Sequence, residues 1–476
     1  MATPHQFAEY DALGLGELVR KREVSAQELL DGAIERAEAA NPKFNFIAQR
    51  HHDYARKRIA AGLPHGPFCG VPWLLKDLNT YIEGELTESG SRFYKGYRAP
   101  VTSELVRRIE RAGFVIFGKT TTPEFGLTAT TENKLTGDTR NPWNPERIAG
   151  GSSGGAAAAV AAGVIPAAHA TDGGGSIRIP ASCCGLFGLK PSRGRVPMGP
   201  LRTEGWGGMS THHAVTWTVR DSAAILDATH GVELGSRYSA PAPEGSFLSQ
   251  VGLPPGKLRI ALMLTPFSGA PVDPEVAEAT RAAARLCESL GHRVDEAAPV
   301  IDNAAIAAHS FALMASSIAA DIEDRALATG IEPGPDVLEE ITLATIAYGR
   351  TRTGMDFARG NNAYQAAAVA IARFMTEYDV ILSPTLTHPP KPLGEVGLST
   401  GADFPTWGQR VGGYTSFTGI YNGTGQPSMS VPLAMSADGL PIGIMFTGRY
   451  GEEALLLRLA AQLEQAAPWA GRRPPA

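Results

Sequence analysis

The chain has 476 residues, of which 43% are hydrophobic and 19% are charged, and this ordinary composition excludes a disordered chain. A formal net charge of -5, without a dense cluster of lysine and arginine, argues against nucleic acid or an anionic membrane surface as a partner. The four cysteines form no C-x-x-C pair, so the sequence favours neither a zinc site nor a disulfide framework.

Two further observations concern targeting to the secretory pathway or to a membrane. The N-terminal letters MATPHQFAEYDALG contain no basic segment followed by an apolar one, so they do not resemble a secretory signal. No apolar stretch reaches the about 18 residues that a bilayer-spanning helix needs. We therefore expect a cytoplasmic protein without a membrane partner.

The first part of the chain alternates predicted helices with short apolar strands. Ser25 and Glu28 have the spacing of a capping box, which predicts a helix that begins there and stops at Asn41-Pro42. An apolar run over 71–75 predicts a buried strand that ends at Lys76. Repetition of this helix–strand order predicts an α/β sandwich with a parallel or mixed sheet.

The second part of the chain contains a long helical region. Alanine-rich helical patterns run from about 300 to 378, whereas a strand over 380–382, a strand over 442–446 and a final amphipathic helix follow. We interpret 1–476 as a single domain in which the segment from about 300 to 378 forms a variable helical cap.

Two glycine-rich turns carry serines, in GGSSGG from Gly150 and in TDGGGSIR from Thr171. Such turns can cradle phosphate, but the P-loop pattern with its lysine is absent. The letters GSSGG also fit the G-x-S-x-G elbow of an α/β-hydrolase esterase, with Ser153 as the nucleophile. That elbow requires a preceding strand and a late histidine, and the only histidine after His309 is His388, in a proline-rich stretch.

A third interpretation pairs a serine with a lysine as its base. An exposed lysine has a pKa of about 10.4, so it is charged at neutral pH. Lys76 ends the apolar run GVPWLLK, and burial there disfavours the charged form and lowers the pKa of the amine. The sequence therefore allows Lys76 to act as a general base.

These segments together resemble the amidase signature family of Ser-cisSer-Lys hydrolases. The resemblance rests on GGSSGG, TDGGGSIRIPASCCGLFGLKPSRGR and GVPWLLKD, with GKTTTPEFG, TRNPWNP, ILSPT and NGTGQPSMSVPLAMSADGLPIG in family order. It is nearest to bacterial amidases of the 6-aminohexanoate-cyclic-dimer hydrolase type, including the ending LEQAAPWAGRRP. The implied fold is a large mixed central β-sheet sandwiched by helices.

The resemblance also implies the catalytic roles. Ser176 is the expected nucleophile, Ser152 the bridging serine on a cis peptide bond, and Lys76 the base. The backbone N–H groups of Gly173, Gly174, Gly175 and Ser176 are expected to form an oxyanion hole, since glycines leave room for substrate. Gly173 is a departure, because family members usually carry a larger residue there.

Neighbouring residues are expected to support this site. Ser153 is expected to cap a helix or to support Lys76, Thr171 to hydrogen-bond the relay, and Asp172 and Arg178 to form a structural ion pair. His169 is expected to be a satisfied interior histidine. The predicted substrate pocket consists of Leu127, Thr128, Ala129, Thr130 and Met314.

The expected activity is hydrolysis of C–N amide bonds in small or linear substrates through a seryl acyl-enzyme, with carbamates, anilides or esters as further substrates. The resemblance implies no metal or organic cofactor, a small amide or carbamate substrate as partner, and a monomer or homodimer. Two rival functions stay open: the glutaminase subunit of a tRNA-dependent amidotransferase, and a catalytically inactive binding protein. The segment TTPEFGLTATT resembles free-standing amidases rather than the amidotransferase subunit.

Overall fold

The computed structural model describes residues 6–475, and a large β-sheet runs through its centre. The strands are β1 (Ile47–Arg50), β2 (Pro72–Lys76), β3 (Val115–Thr120), β4 (Arg140–Asn141), β5 (Asn144–Ile148), β6 (Ala167–Asp172), β7 (Phe187–Lys190), β8 (Thr211–Thr216), β9 (Arg259–Leu262), β10 (Arg293–Glu296), β11 (Val380–Pro384), β12 (Ser428–Met435) and β13 (Pro441–Gly448).

Helices precede, separate and follow these strands. They are α1 (Ala12–Arg20), α2 (Ala26–Phe44), α3 (His52–Ala60), α4 (Glu104–Arg111), α5 (Gly154–Ala161), α6 (Arg178–Cys184), α7 (Val219–Thr229), α8 (Phe247–Gln250), α9 (Pro274–Ser289), α10 (Asn303–Thr329), α11 (Glu340–Arg350), α12 (Gly354–Phe374), α13 (Phe404–Tyr414), α14 (Ile420–Thr424) and α15 (Glu453–Ala466). Short 3-10 helices cover Gln6–Glu9, Arg92–Tyr94 and Glu124–Gly126.

The main sheet has eight strands in the order β10-β9-β11-β13-β12-β7-β8-β6. Strands β10, β9 and β11 are parallel, and the remaining neighbours are antiparallel. A three-stranded sheet in the order β1-β3-β2 lies next to β6. The prediction of a mixed central sheet is therefore confirmed.

Helices cover both faces of these two neighbouring sheets, and the alternation of side chains along β2, in the three-stranded sheet, shows how the two helical layers are reached. Trp73 and Leu75 belong to an apolar core with α4, α7 and α15, whereas Leu74 belongs to a second core with α2, α5 and α6. Because successive side chains point to opposite faces, the side chain of Lys76 follows Leu74 toward the α5 and α6 layer.

The capping box at the start of α2 is formed as predicted, but the predicted end of the helix at Asn41-Pro42 is wrong. Pro42 lies in the last turn of α2, where its missing N–H removes a single helical hydrogen bond. The end is closed instead by Asn45, which adopts a left-handed conformation with φ 52° and donates its N–H to the Asn41 oxygen at 2.7 Å.

The segment predicted to be mostly helical contains α10, α11 and α12, which pack against one another. By length and composition alone, α10 could cross a membrane. This is weak support for a membrane span, because one face of α10 contributes Leu313 and Ile318 to buried apolar clusters and ordinary packed helices pass the same criterion.

Candidate active site

Lys76 is the last residue of a strand whose five side chains are all buried, and it is itself completely buried. Its Nζ lies 2.7 Å from Oγ of Ser152 and 2.8 Å from Oγ1 of Thr171. Burial lowers the pKa of Lys76 well below its usual value, although the charge of Asp172 opposes this shift. The amine is therefore suited to accept a proton from a neighbouring hydroxyl.

His169 fixes the backbone of this lysine. The backbone N–H of Lys76 donates to Nδ1 of His169 at 3.2 Å, so a side chain on β6 joins the two neighbouring sheets. Nδ1 accepts this bond, so the ring proton of His169 is on Nε2, which lies 3.0 Å from Nδ1 of His212. Burial lowers the pKa of both imidazoles, which keeps the pair neutral. His169 is thus an interior histidine with both nitrogens hydrogen-bonded, as expected.

The turn that carries Ser152 is tightly enclosed. The Gly151–Ser152 peptide bond is cis, as the family resemblance implies. A Cβ atom at Gly151 would lie 2.3 Å from the backbone oxygen of Thr130, so only glycine fits against that segment. Gly126, with φ +73°, packs on the other side, where a Cβ would lie 3.1 Å from Oγ of Ser152. Both glycines therefore allow close packing around the Ser152 turn that a side chain would prevent.

Ser153 occupies the N-cap position of α5, as one of the two expected roles implies, but its side chain makes no capping hydrogen bond. Its Oγ donates to the Thr171 oxygen at 3.2 Å and accepts the Thr171 N–H at 3.3 Å, because the turn directs this side chain toward β6 rather than along the helix. It supports Lys76 through Thr171 and makes no direct bond to the amine. Complete burial also contradicts the exposed nucleophile that the esterase alternative requires.

Asp172 organises the turn that carries Ser176. Its carboxylate accepts the backbone N–H of Gly175 at 2.7 Å and that of Ile177 at 3.1 Å. The expectation that Gly175 contributes to the oxyanion hole is therefore corrected, because its N–H already binds this carboxylate. Within residues 6–475 the N–H groups of Gly173, Gly174 and Ser176 donate to no protein acceptor, so three donors remain free.

Asp172 and Arg178 form a completely buried ion pair, with Nε 3.0 Å from Oδ2 and a second bond of 3.0 Å to Oδ1. Burial alone would raise the pKa of Asp172, but the charge and hydrogen bonds of Arg178 lower it below its usual range. Arg178 also donates to the oxygen of Thr418 and to Oδ1 of Asn422. Asp172 is therefore a fixed anion that shapes the turn, as the expected structural ion pair would be.

Two residues of this network were not identified from the sequence. Asn422 donates to the backbone oxygen and to the carboxylate of Asp172, and Thr418 donates to the oxygen of Gly174 at 2.7 Å. The family-like segment that begins at Asn422 was a usable signal. Nothing in the local pattern around Thr418 indicated its contact.

Four of the five residues predicted to line the substrate pocket are buried, and the fifth, Met314, is partly buried. Thr128 donates to the Val396 oxygen, the backbone of Thr130 packs on Gly151, and Leu127 and Met314 belong to one apolar cluster. Ala129 is buried in the core next to α5. None of the five lines the cavity beside the catalytic turns, and their contact with substrate stays a prediction.

A cavity of about 660 Å³ opens beside these turns. Leu78, Phe125, Trp206 and Ser210 are among its lining residues, whereas Lys76, Ser152 and Ser176 are not. A Cβ at Gly126 would lie 2.8 Å from Leu78, and one at Gly173 would lie 2.7 Å from Trp206. The cavity is also lined by aromatic and neutral polar side chains, including Asn79, Tyr81, Thr87, Ser89, Tyr94 and Tyr97, and by four charged ones, Arg202, Glu204, Asp321 and Asp324. Among the described residues, no three histidine, cysteine or carboxylate side chains are close enough to hold a metal ion.

Comparisons with known proteins agree with this geometry. The sequence model of the Amidase family matches residues 28–457. The chain is 38% identical over 478 residues to 6-aminohexanoate-cyclic-dimer hydrolase from Paenarthrobacter ureafaciens, which covers 98% of this chain and 96% of that protein. A solved structure of 6-aminohexanoate cyclic dimer hydrolase matches at TM-score 0.92 and 38% identity, covering 98% and 99% of the two chains. A bacterial aryl acylamidase structure matches at TM-score 0.88 and 27% identity, over 97% and 99%.

Proposed function

The chain belongs to the amidase signature family and is a hydrolase of amide C–N bonds, and from this premise we propose that it works through a Ser176 acyl-enzyme with Ser152 and Lys76 as the proton relay. Oγ of Ser176 attacks the carbonyl carbon. Its proton passes to Ser152 while the proton of Ser152 passes to Nζ of Lys76. The resulting tetrahedral intermediate carries one negative charge on oxygen.

One observation carries the proposal: the buried Nζ of Lys76 lies 2.7 Å from Oγ of Ser152, with a pKa well below its usual value because of burial. A neutral amine has one lone pair and accepts a proton from Ser152. Thr171, at 2.8 Å, accepts an N–H of the same amine and directs that lone pair toward Ser152.

The free N–H groups of Gly173, Gly174 and Ser176 stabilise the oxyanion. When the intermediate collapses, the C–N bond breaks and the leaving nitrogen takes the proton back from Lys76 through Ser152. Water then attacks the acyl carbon and gives a proton through Ser152 to Lys76. When this second intermediate collapses, the bond between the carbonyl carbon and Oγ of Ser176 breaks and Oγ takes the proton back, which releases the carboxylic acid and restores Ser176. Hydroxyls, backbone amides and an amine supply every step, so the proposed reaction uses no metal ion or organic cofactor.

The proposed substrates are small or linear amides. A cavity of about 660 Å³ lies within the range of sites that bind small molecules. Its lining combines aromatic and neutral polar side chains with the charged Arg202, Glu204, Asp321 and Asp324, so it offers both apolar contact and hydrogen-bonding groups to a substrate. Carbamates, anilides and esters are included in the proposal, since each forms a similar tetrahedral oxyanion in the same site.

The test combines two serine variants with covalent labelling. Ser176→Ala is expected to abolish turnover of a panel of amides, anilides, carbamates and esters, whereas Ser153→Ala is expected to retain measurable activity. A sulfonyl fluoride is expected to modify Ser176, located by peptide mapping. An adduct on Ser153, or full activity of Ser176→Ala, would contradict the proposal. Glutaminase activity that rises on addition of tRNA-amidotransferase partner subunits would favour the rival function instead.

A further inference from the structure

The indole ring of Trp206 lies directly over the backbone of Gly173. A Cβ atom built on Gly173 would lie 2.7 Å from Cζ3 and 2.8 Å from Cε3 of this ring, and 3.2 Å from Oγ of Ser210. Cβ contacts shorter than 3.0 Å are essentially never observed. The ring therefore fills the space that a side chain at position 173 would need, next to one of the free N–H groups of the catalytic turn.

The loop that holds Trp206 is fixed rather than loosely packed. The N–H groups of Gly208 and Ser210 both donate to the oxygen of Gly205 at 3.2 Å, which closes a compact turn around the tryptophan. Outside the turn, Arg193 donates to the oxygen of Gly208 at 2.6 Å.

Asn422 links this loop to the nucleophile turn. Its Nδ2 donates to the oxygen of Met209 at 3.1 Å and also to the carboxylate of Asp172 at 2.8 Å. One side chain therefore sets the position of the tryptophan loop relative to the turn that carries Ser176.

The backbone of Trp206 points to a functional role for the ring. Its φ is 53°, in the left-handed region that bulky side chains rarely adopt. Such conformations cost free energy and are found most often at binding and catalytic sites. Trp206 is partly buried against the apolar cluster that includes Phe125 and Leu127, and it lines the cavity beside Gly173.

We propose that Trp206 determines substrate specificity by forming a steric wall beside the oxyanion donors, in the space that glycine at position 173 leaves open. The wall limits the bulk that a substrate carries on the carbon next to its scissile carbonyl. Substrates with an unbranched CH₂ group at that carbon fit under the ring, and substrates with a quaternary carbon there collide with it. This inference rests on the proposed function, since it takes the Ser176 turn as the place where the carbonyl binds.

The test is a double-mutant cycle with two p-nitroanilides that share a leaving group. One carries an unbranched butanoyl group and the other a 2,2-dimethylpropanoyl group. Wild type is expected to favour the unbranched substrate, and Trp206→Ala to reduce the ratio of the two kcat/KM values by about 10-fold, the discrimination that a single pocket contact gives. Trp206→Gly is the second variant, because glycine adopts the left-handed backbone of this position without strain.

The second edge of the cycle concerns Gly173. Gly173→Ala alone is expected to lower both kcat/KM values and the melting temperature, because its Cβ meets the indole. In the Trp206→Gly background the same change is expected to lower the melting temperature less, because only the contact with Oγ of Ser210 remains, and this measurement needs no substrate. Gly408→Ala is the control: Gly408 lies on α13, and a Cβ there meets no atom within 4 Å.

Two results would overturn the inference. One is a substrate ratio that both Trp206 variants leave unchanged, and the other is a loss of melting temperature from Gly173→Ala that is equal with and without the tryptophan. Failure of the proposed function is seen separately, as hydrolysis of either anilide by Ser176→Ala. The melting temperatures measure the steric contact between positions 173 and 206, and this measurement does not depend on which residue is the nucleophile.

Discussion

The side-chain amide of Asn422 donates to the backbone oxygen of Asp172 at 3.0 Å and to its carboxylate at 2.8 Å, across 250 positions of sequence. Its Oδ1 accepts a hydrogen bond from Arg178 at 2.6 Å. The conformation of the nucleophile turn is therefore set from outside the turn. This explains how a run of three glycines, which has little conformational preference of its own, keeps one shape.

Asn422→Ala is expected to destabilise the protein by about 3 kcal/mol, because it removes hydrogen bonds to buried charged groups. We also expect kcat to fall by about 100-fold, since the oxyanion donors lose their alignment with Ser176. Urea unfolding and steady-state kinetics measure the two effects. The exposed Asn362 on α12 gives a matched control, with a change of unfolding free energy below about 0.5 kcal/mol. Equal effects of the two substitutions would show that the Asn422 bonds do not hold the turn.

Arg178→Met is expected to cost about 3 to 5 kcal/mol of unfolding free energy, because it leaves the carboxylate of Asp172 buried without its partner. Arg178→Lys is expected to recover little of the lost unfolding free energy, since an ammonium cannot reproduce the two parallel hydrogen bonds that the guanidinium makes. The comparison is Arg50→Met, which breaks an exposed pair with Glu38 and is expected to cost less than about 1 kcal/mol. Denaturant unfolding of the three variants measures these losses of unfolding free energy. Similar losses for Arg178→Met and Arg50→Met would show that the buried ion pair is no more important for stability than the exposed one.

The sequence was most informative where chemistry depends on local spacing. The apolar run before Lys76 predicts a buried strand end, and the two serine turns are recognisable from their letters alone. The capping box at Ser25 was also predictable, because both of its partners lie within four residues.

The sequence was least informative where a backbone direction or a distant partner decides the role of a residue. Gly175 has the same letter as its neighbours, yet its N–H donates to the carboxylate of Asp172. Ser153 looks like a helix cap but bonds to Thr171, because the turn aims it at β6. Trp206 carries no pattern of its own, since its position over Gly173 depends on a loop that is brought there by tertiary contacts.

Thr171→Val is expected to slow the reaction by about 10-fold, because an N–H of Lys76 loses its acceptor and the lone pair is no longer directed at Ser152. The charged form of the amine needs this acceptor more than the neutral form does. The pKa of Lys76 is therefore expected to fall further, which shifts the acid limb of the kcat/KM profile to lower pH. Thr171→Ser keeps the hydroxyl and is expected to retain both the reaction rate and the pH profile of kcat/KM. A slower Thr171→Val with an unmoved acid limb would assign the residue a purely structural role.

The pH dependence of the wild-type enzyme tests the amine itself. Lys76 acts only after losing its proton, so kcat/KM is expected to rise with pH through the pKa of this lysine and then to level off. Because burial lowers that pKa well below its usual value, the plateau is reached before the alkaline range of an ordinary lysine. Lys76→Met is expected to abolish turnover, whereas the exposed Lys21→Met keeps the wild-type profile. A kcat/KM that rises only near pH 10, where an ordinary lysine loses its proton, would contradict the lowered pKa of Lys76.

The same lysine also predicts a pH dependence of stability. The unfolded chain binds a proton on Lys76 at pH values where the folded protein does not, so this residue makes the free energy of unfolding increase with pH between the folded and the unfolded pKa. Lys76→Met removes this contribution, so any stability that it gains over wild type is expected to be largest at low pH and to shrink as pH rises. Urea unfolding at a series of pH values measures the difference, with Lys21→Met in parallel. A difference between Lys76→Met and wild type that is constant across the series would mean that Lys76 keeps its proton in the folded protein, and the proposed relay would then lack its base.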